Sequence, residues 1–122
     1  MVDSYETLVF GASPNPDRYA YKAILMLRMF GVPVKAFGSR QGAVAEVNID
    51  TNLKPYKNIH TVTLYLNPKR QDAYYAYILG LKPARVIFNP GTENPTLLAM
   101  AQEKGMETIE ACTLVMLKTG QY

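Results

Sequence analysis

The chain has 122 residues, 48% of them hydrophobic and 19% charged, with a net charge of +3. That composition excludes a disordered or fibrous protein and suits a single domain, residues 1–122, with one core. One cysteine and one histidine exclude an internal disulfide and the usual four-ligand Cys/His zinc site within one chain. The basic residues are scattered rather than striped between stacking aromatics, which argues against nucleic acid and suits a small polyanion.

No apolar run approaches the roughly 20 residues needed to cross a bilayer, so no membrane span is expected. Residues 1–7 include Asp3 and Glu6 and lack a basic n-region and an apolar h-region. No secretory signal is expected, and the cytoplasm is the default compartment.

Thr7–Phe10 is a β-branched and aromatic run ending in Gly11, Ala12 and Ser13, a buried strand that meets a loop. The turn Pro14-Asn15-Pro16-Asp17 then offers Asp17 as a helix N-cap. Ala20, Ala23, Ile24, Leu27, Met29 and Phe30 predict a helix stopped by Gly31 and Pro33. Val34–Phe37 is the second strand, followed by the loop Gly38-Ser39-Arg40-Gln41-Gly42. Residues 43–58 have no clean period and read as a connection holding a short strand or hairpin piece around residues 44–49.

Residues 61–66 (Thr-Val-Thr-Leu-Tyr-Leu) predict a third core strand, with Asn67-Pro68 turning into a helix. Ala73, Tyr74, Tyr77, Ile78 and Leu81 fall at helical spacing, with Tyr74 and Tyr77 expected to pack in the core. Arg85–Phe88 is the next strand. In the loop Asn89-Pro90-Gly91-Thr92-Glu93-Asn94-Pro95, Asn94 caps a helix that runs toward Gly105. The fifth strand is expected at residues 107–109, then Glu110-Ala111-Cys112-Thr113 and a terminal helix or irregular tail at residues 114–117. Alternating strands and helices predict an α/β fold. The expected form is a Rossmann-like, doubly wound, mainly parallel five-stranded sheet with helices on both faces.

In open parallel sheets, ligands bind beyond the carboxyl ends of the strands. That rule selects Gly11-Ala12-Ser13, Gly38-Ser39-Arg40, Leu66-Asn67-Pro68 and Asn89-Pro90-Gly91, with the Cys112 segment after the fifth strand. Glycine allows close backbone approach, and a helix N-terminus attracts phosphate. The full Gly-x-Gly-x-x-Gly fingerprint is absent, as is the acid that holds an NAD ribose after the second strand. Arg40 in that place suits a phosphorylated ribose, as in NADP or in the 3′-phosphorylated ADP of coenzyme A. His60 stands at no recognisable triad spacing and reads as structural. Asp17 and Glu93 are explained as a cap and a solvated acid, so no catalytic or metal residue is assigned.

Phe10-Gly11-Ala12-Ser13-Pro14-Asn15-Pro16-Asp17-Arg18, the Asn67-Pro68 and Asn89-Pro90-Gly91 loops, and Glu110-Ala111-Cys112 together resemble the small stand-alone CoA-binding domain proteins. These are similar in fold to the CoA-binding domain of the succinyl-CoA synthetase alpha subunit. The resemblance covers nearly the whole chain and implies binding of coenzyme A or an acyl-CoA, with no reaction common to the family. It implies that Gly11, Ala12 and Ser13 cradle the phosphates, with Arg18 and Tyr19 nearby, and that Ser39 and Arg40 meet the 3′-phosphate end. Leu66, Asn67 and Pro68 would border the adenine or diphosphate, Asn89, Pro90 and Gly91 the pantetheine arm, and Cys112 the thiol end. Gly-Ser-Arg stands where the family often has Asn-Pro-Lys, and Asn-Pro-Gly where a glutamine-containing loop is common. The ligase's phosphorylated histidine belongs to a domain this chain does not include.

The leading expectation is therefore a non-catalytic CoA-binding protein, sensor or partner subunit, alone or as a homo-oligomer. Two alternatives fit the same residues: a small NADP-dependent oxidoreductase, and an interaction module that kept the fold and lost its ligand.

Overall fold

A computed structural model describes residues 5–122. Residues 1–4 lie outside the described residues, and with them most of the N-terminal segment expected to carry no secretory signal. The strands are β1 (Thr7–Phe10), β2 (Val34–Phe37), β3 (Ala43–Val44), β4 (Val47–Asp50), β5 (Thr61–Leu64), β6 (Arg85–Phe88) and β7 (Glu107–Glu110). The helices are α1 (Tyr19–Met29), α2 (Pro68–Gln71), α3 (Tyr75–Gly80), α4 (Pro95–Glu103) and α5 (Thr113–Lys118), with a 3₁₀ turn at Asp72–Tyr74 between α2 and α3.

The sheet has seven strands in the order β3-β4-β2-β1-β5-β6-β7. All pairings are parallel except the antiparallel β3–β4 hairpin at one edge. This corrects the expected five strands. The piece around residues 44–49 is a hairpin whose second strand pairs in parallel with β2, through Ala36↔Ile49 and Phe37↔Asp50.

β1, β5 and β6 are buried along their whole length. They have helices or chain on both faces, which is why each reads as a continuous run rather than an alternation. The period of two still sorts their side chains. Leu8, Phe10, Val62, Leu64, Val86 and Phe88 face one core, with Ile78, Leu79, Leu97 and Ala101 of α3 and α4. Val9 and Ile87 face the other, with Ala20, Ile24 and Leu27 of α1 and Met116 and Leu117 of α5. Each large apolar side chain so buried contributes about 1.5–3 kcal/mol relative to exposure. Tyr74 packs edge-on against Phe10 and Phe37, at 5.2 and 5.8 Å between ring centroids. Tyr77 also lies against Phe10, so both tyrosines serve the core as expected. Among the described residues, no helix is long and apolar enough to cross a membrane.

Candidate functional site

Strand order reverses at β1, with β2 on one side and β5 on the other. The loops that leave β1, β2, β5 and β6 therefore diverge around a crevice at the carboxyl ends of the strands. They enclose a cleft of about 570 Å³. Of the residues selected from sequence, Gly11, Ala12, Ser13, Arg18, Tyr19, Ser39, Arg40, Leu66, Asn67, Pro90 and Gly91 line this cleft. Gly38, Pro68, Asn89 and Cys112 are not in its lining. Asn15, Asp17, Ala20, Tyr65, Arg70 and Thr92 also line it and were not assigned to the site from sequence.

The first loop works differently from a glycine-rich phosphate cradle. The N–H groups of Gly11 and Ala12 both donate to the carbonyl of Phe37, each at 2.8 Å. They close the seam between β1 and β2 and do not turn toward a ligand. Gly11 has φ +102, and a Cβ there would stand 2.9 Å from the backbone carbon of Tyr65. Its close backbone approach is to the protein's own β5 loop.

Beyond Ala12 the chain is shaped by local side-chain turns. The Asn15 N–H donates to Ser13 Oγ at 3.1 Å, and the Asp17 N–H to Asn15 Oδ1 at 3.0 Å. Helix α1 then begins one residue later than an Asp17 cap would place it. Arg18 occupies the N-cap position, no side chain caps the helix, and the first turn holds no acid. The first N–H groups of a helix have no intrahelical acceptor. At α1 those of Tyr19 and Ala20 stand at the cleft, at the positive end of the helix dipole. Of the other helices that begin at the ligand end, α2 and α4 are capped by Asn67 and Asn94, and α5, which Cys112 does not cap, has its Thr113 N–H taken by Asn89 Oδ1.

Three exposed arginines line the cleft: Arg18 at the start of α1, Arg40 in the loop after β2 and Arg70 in α2. Among the described residues none of them is in an ion pair; the pairs present are Lys35–Glu6 and Lys54–Asp50. One carboxylate, Asp17, shares the lining. The Tyr65 hydroxyl is buried without a hydrogen-bond partner among the described residues, and burial pushes the phenol above its ordinary range.

The asparagines of the two turn motifs are architectural. Asn67 Oδ1 accepts the Arg70 N–H at 2.9 Å and so starts α2. Asn89 is buried and donates to Thr63 Oγ1 at 2.7 Å and to the Leu64 carbonyl at 2.9 Å. Its Oδ1 accepts the Thr113 N–H at 2.8 Å, which anchors α5 under the sheet. Gln71, fully buried, donates to the carbonyls of Leu66 and Thr92 at 2.8 Å each, tying together the two loops of one cleft wall. Cys112 is half-buried at the N-cap position of α5. His60 lies at the opposite end of the sheet, stacked on Tyr5 with centroids 3.9 Å apart.

Arg70 had a readable signal. In Asn67-Pro68-Lys69-Arg70 the asparagine is an N-cap, which puts Arg70 in the first turn of a helix that opens at the ligand end. The end of α1 had none, because its distinguishing feature is a cap that is missing.

The family model of the CoA binding domain matches residues 5–118. Among solved structures, one described as an uncharacterized protein is 44% identical, with a TM-score of 0.94, over 97% of this chain and 98% of its own. A hypothetical protein from Pyrococcus horikoshii OT3 is 26% identical, with a TM-score of 0.77, over 90% of this chain and 78% of its own. A Thermus thermophilus protein, 18% identical with a TM-score of 0.80 over 96% of this chain and 90% of its own, shares the fold. No curated protein matches. The chain belongs to the CoA binding domain family.

Proposed function

We propose that this member of the CoA binding domain family holds coenzyme A or an acyl-CoA in the cleft at the β1 switch point, as a binding protein rather than a complete enzyme. Residues 1–122 form one such Rossmann-like unit in this reading. The observation that carries it is that three arginines and the uncapped N-terminus of α1 line a single cleft. A polyanion gains from both, since charged donors and helix N–H groups each favour phosphate.

Within the reading, Ser13, Tyr19 and Ala20 form the phosphate floor, with Arg18 beside them. Ser39 and Arg40, beyond β2, take the 3′-phosphate. Leu66 and Asn67 form one wall, and Pro90 and Gly91 border the path of the pantetheine arm. Gly38 and Asn89 act from behind by fixing the loops, and Cys112 stands outside the cleft. Asp17 enters the turn that precedes α1 through its backbone N–H, which donates to Asn15 Oδ1.

Calorimetric titration of the reduced protein with CoA, NADP and ADP tests the reading. CoA is expected to bind most tightly, and Arg40→Ala to weaken it by about ten-fold or more, the usual effect of losing one charge-assisted contact. Preference for NADP over CoA would overturn it, as would the absence of heat with all three.

A further inference from the structure

We infer that Arg70 is the diphosphate clamp of the cleft and fixes its preference for diphosphate-bearing ligands, a role that rests on the CoA reading above. Arg70 is exposed and lines the cleft with Arg18 and Arg40, and among the described residues no carboxylate pairs with it. An arginine left without a partner beside a concave polar surface offers a planar fork of donors suited to phosphate oxygens.

Its backbone is held on both sides. The Arg70 N–H donates to Asn67 Oδ1 at 2.9 Å, and the next residue, Gln71, is buried and bonded to both Leu66 and Thr92. The stem of Arg70 thus rises from a fixed base, and little backbone ordering is left to be lost on binding. Its position sorts its target from that of Arg40. Arg40 follows β2 and Arg70 follows β5, on opposite sides of β1. The α1 N-terminus, where a diphosphate gains most, opens from the loop after β1 between them. Arg70 and the first turn of α1 grip the diphosphate from two sides, and Arg40 is left for a phosphate at the far end of the ligand.

The test compares CoA with 3′-dephospho-CoA on the wild-type protein and on Arg70→Ala, Arg70→Lys and Arg40→Ala, with affinities read by calorimetry and folding by thermal melting. Arg70→Ala is expected to weaken both ligands by a similar factor, about ten- to hundred-fold. Arg70→Lys should recover part of that loss, and Arg40→Ala should weaken CoA alone. Melting temperatures should not change, since Arg70 is exposed. If wild type binds CoA while Arg70→Ala binds both ligands as well as wild type, or loses only CoA, this inference is overturned and the CoA reading stands. If wild type binds neither ligand, both fall together.

Discussion

The carbonyl oxygen of Ala12 lies 2.1 Å from the point where a Cβ would stand on Gly38. Two backbones touch there, one from each of the first two ligand-end loops. Gly42 makes a similar approach to Pro14, with 2.6 Å between its absent Cβ and the proline Cβ. The glycines of the Gly38–Gly42 loop thus allow that loop to lie against the β1 loop, and they set Ser39 and Arg40 at the cleft edge.

Gly38→Ala should therefore unfold at lower urea, with a loss of about 1–3 kcal/mol or more, because a backbone carbonyl cannot swing aside as a side chain can. Gly91→Ala is the contrast. Its φ of +90 carries strain but nothing lies within 4 Å of the added carbon, so its cost should be nearer 1 kcal/mol. Equal urea midpoints for Gly38→Ala and wild type would refute the close-packing account.

Asn89→Ala should cost about 2–4 kcal/mol in the same measurement. The change orphans the Thr113 N–H and the Leu64 carbonyl within the interior. The loss would be felt first in the docking of α5, so amide exchange should accelerate along Thr113–Lys118 before it does in β1.

Acid should weaken the protein partly through Asp50. Burial alone raises this carboxyl, but the Tyr56 hydroxyl, Lys54 at 2.9 Å and the charge of Lys35 overcome it, and the net pKa lies below the ordinary 3.8. A carboxyl depressed by folding adds stability above its unfolded pKa and loses it as pH falls through the folded value. The contribution is therefore complete above about pH 5 and fades below about pH 4. Urea midpoints of wild type should drop more steeply than those of Asp50→Asn between those values and below; parallel curves would contradict the assignment.

Much of this fold was legible because its central strands are sealed on both faces and flanked by helices with ordinary stop signals. Thr7–Phe10 and Arg85–Phe88 were read at their observed bounds for that reason, and Val34–Phe37, whose Lys35 is exposed, because Pro33 and Gly38 bracket it. The β3–β4 hairpin was not, because its two-residue turn is Ala45-Glu46, with φ +49 and +68, in place of the Asn-Gly or Asp-Gly that usually marks such a turn. The helix after β5 was read as one element and is two, joined by the 3₁₀ turn, since spacing alone carries no sign of a tightened turn. The charges of the cleft were only partly legible. Arg40 lies in the loop that leaves β2, whereas Arg70 is delivered by a cap three residues earlier.

The same turn yields a stabilising substitution. Glu46 is exposed and held in the left-handed region, so Glu46→Gly should relieve strain and raise stability by about 0.5–1 kcal/mol after the added freedom of the unfolded glycine is subtracted. A lowered urea midpoint would show that the Glu46 side chain contributes something beyond its backbone geometry.

The most direct measurement is an amide NMR titration of the ¹⁵N-labelled protein with CoA. The account predicts saturable shifts at Ser13, Tyr19, Ala20, Ser39, Arg40 and Arg70, with Tyr5, His60 and Glu107 at the opposite end of the sheet unmoved. Shifts confined to that opposite end, or a spectrum unchanged at saturating CoA, would contradict it.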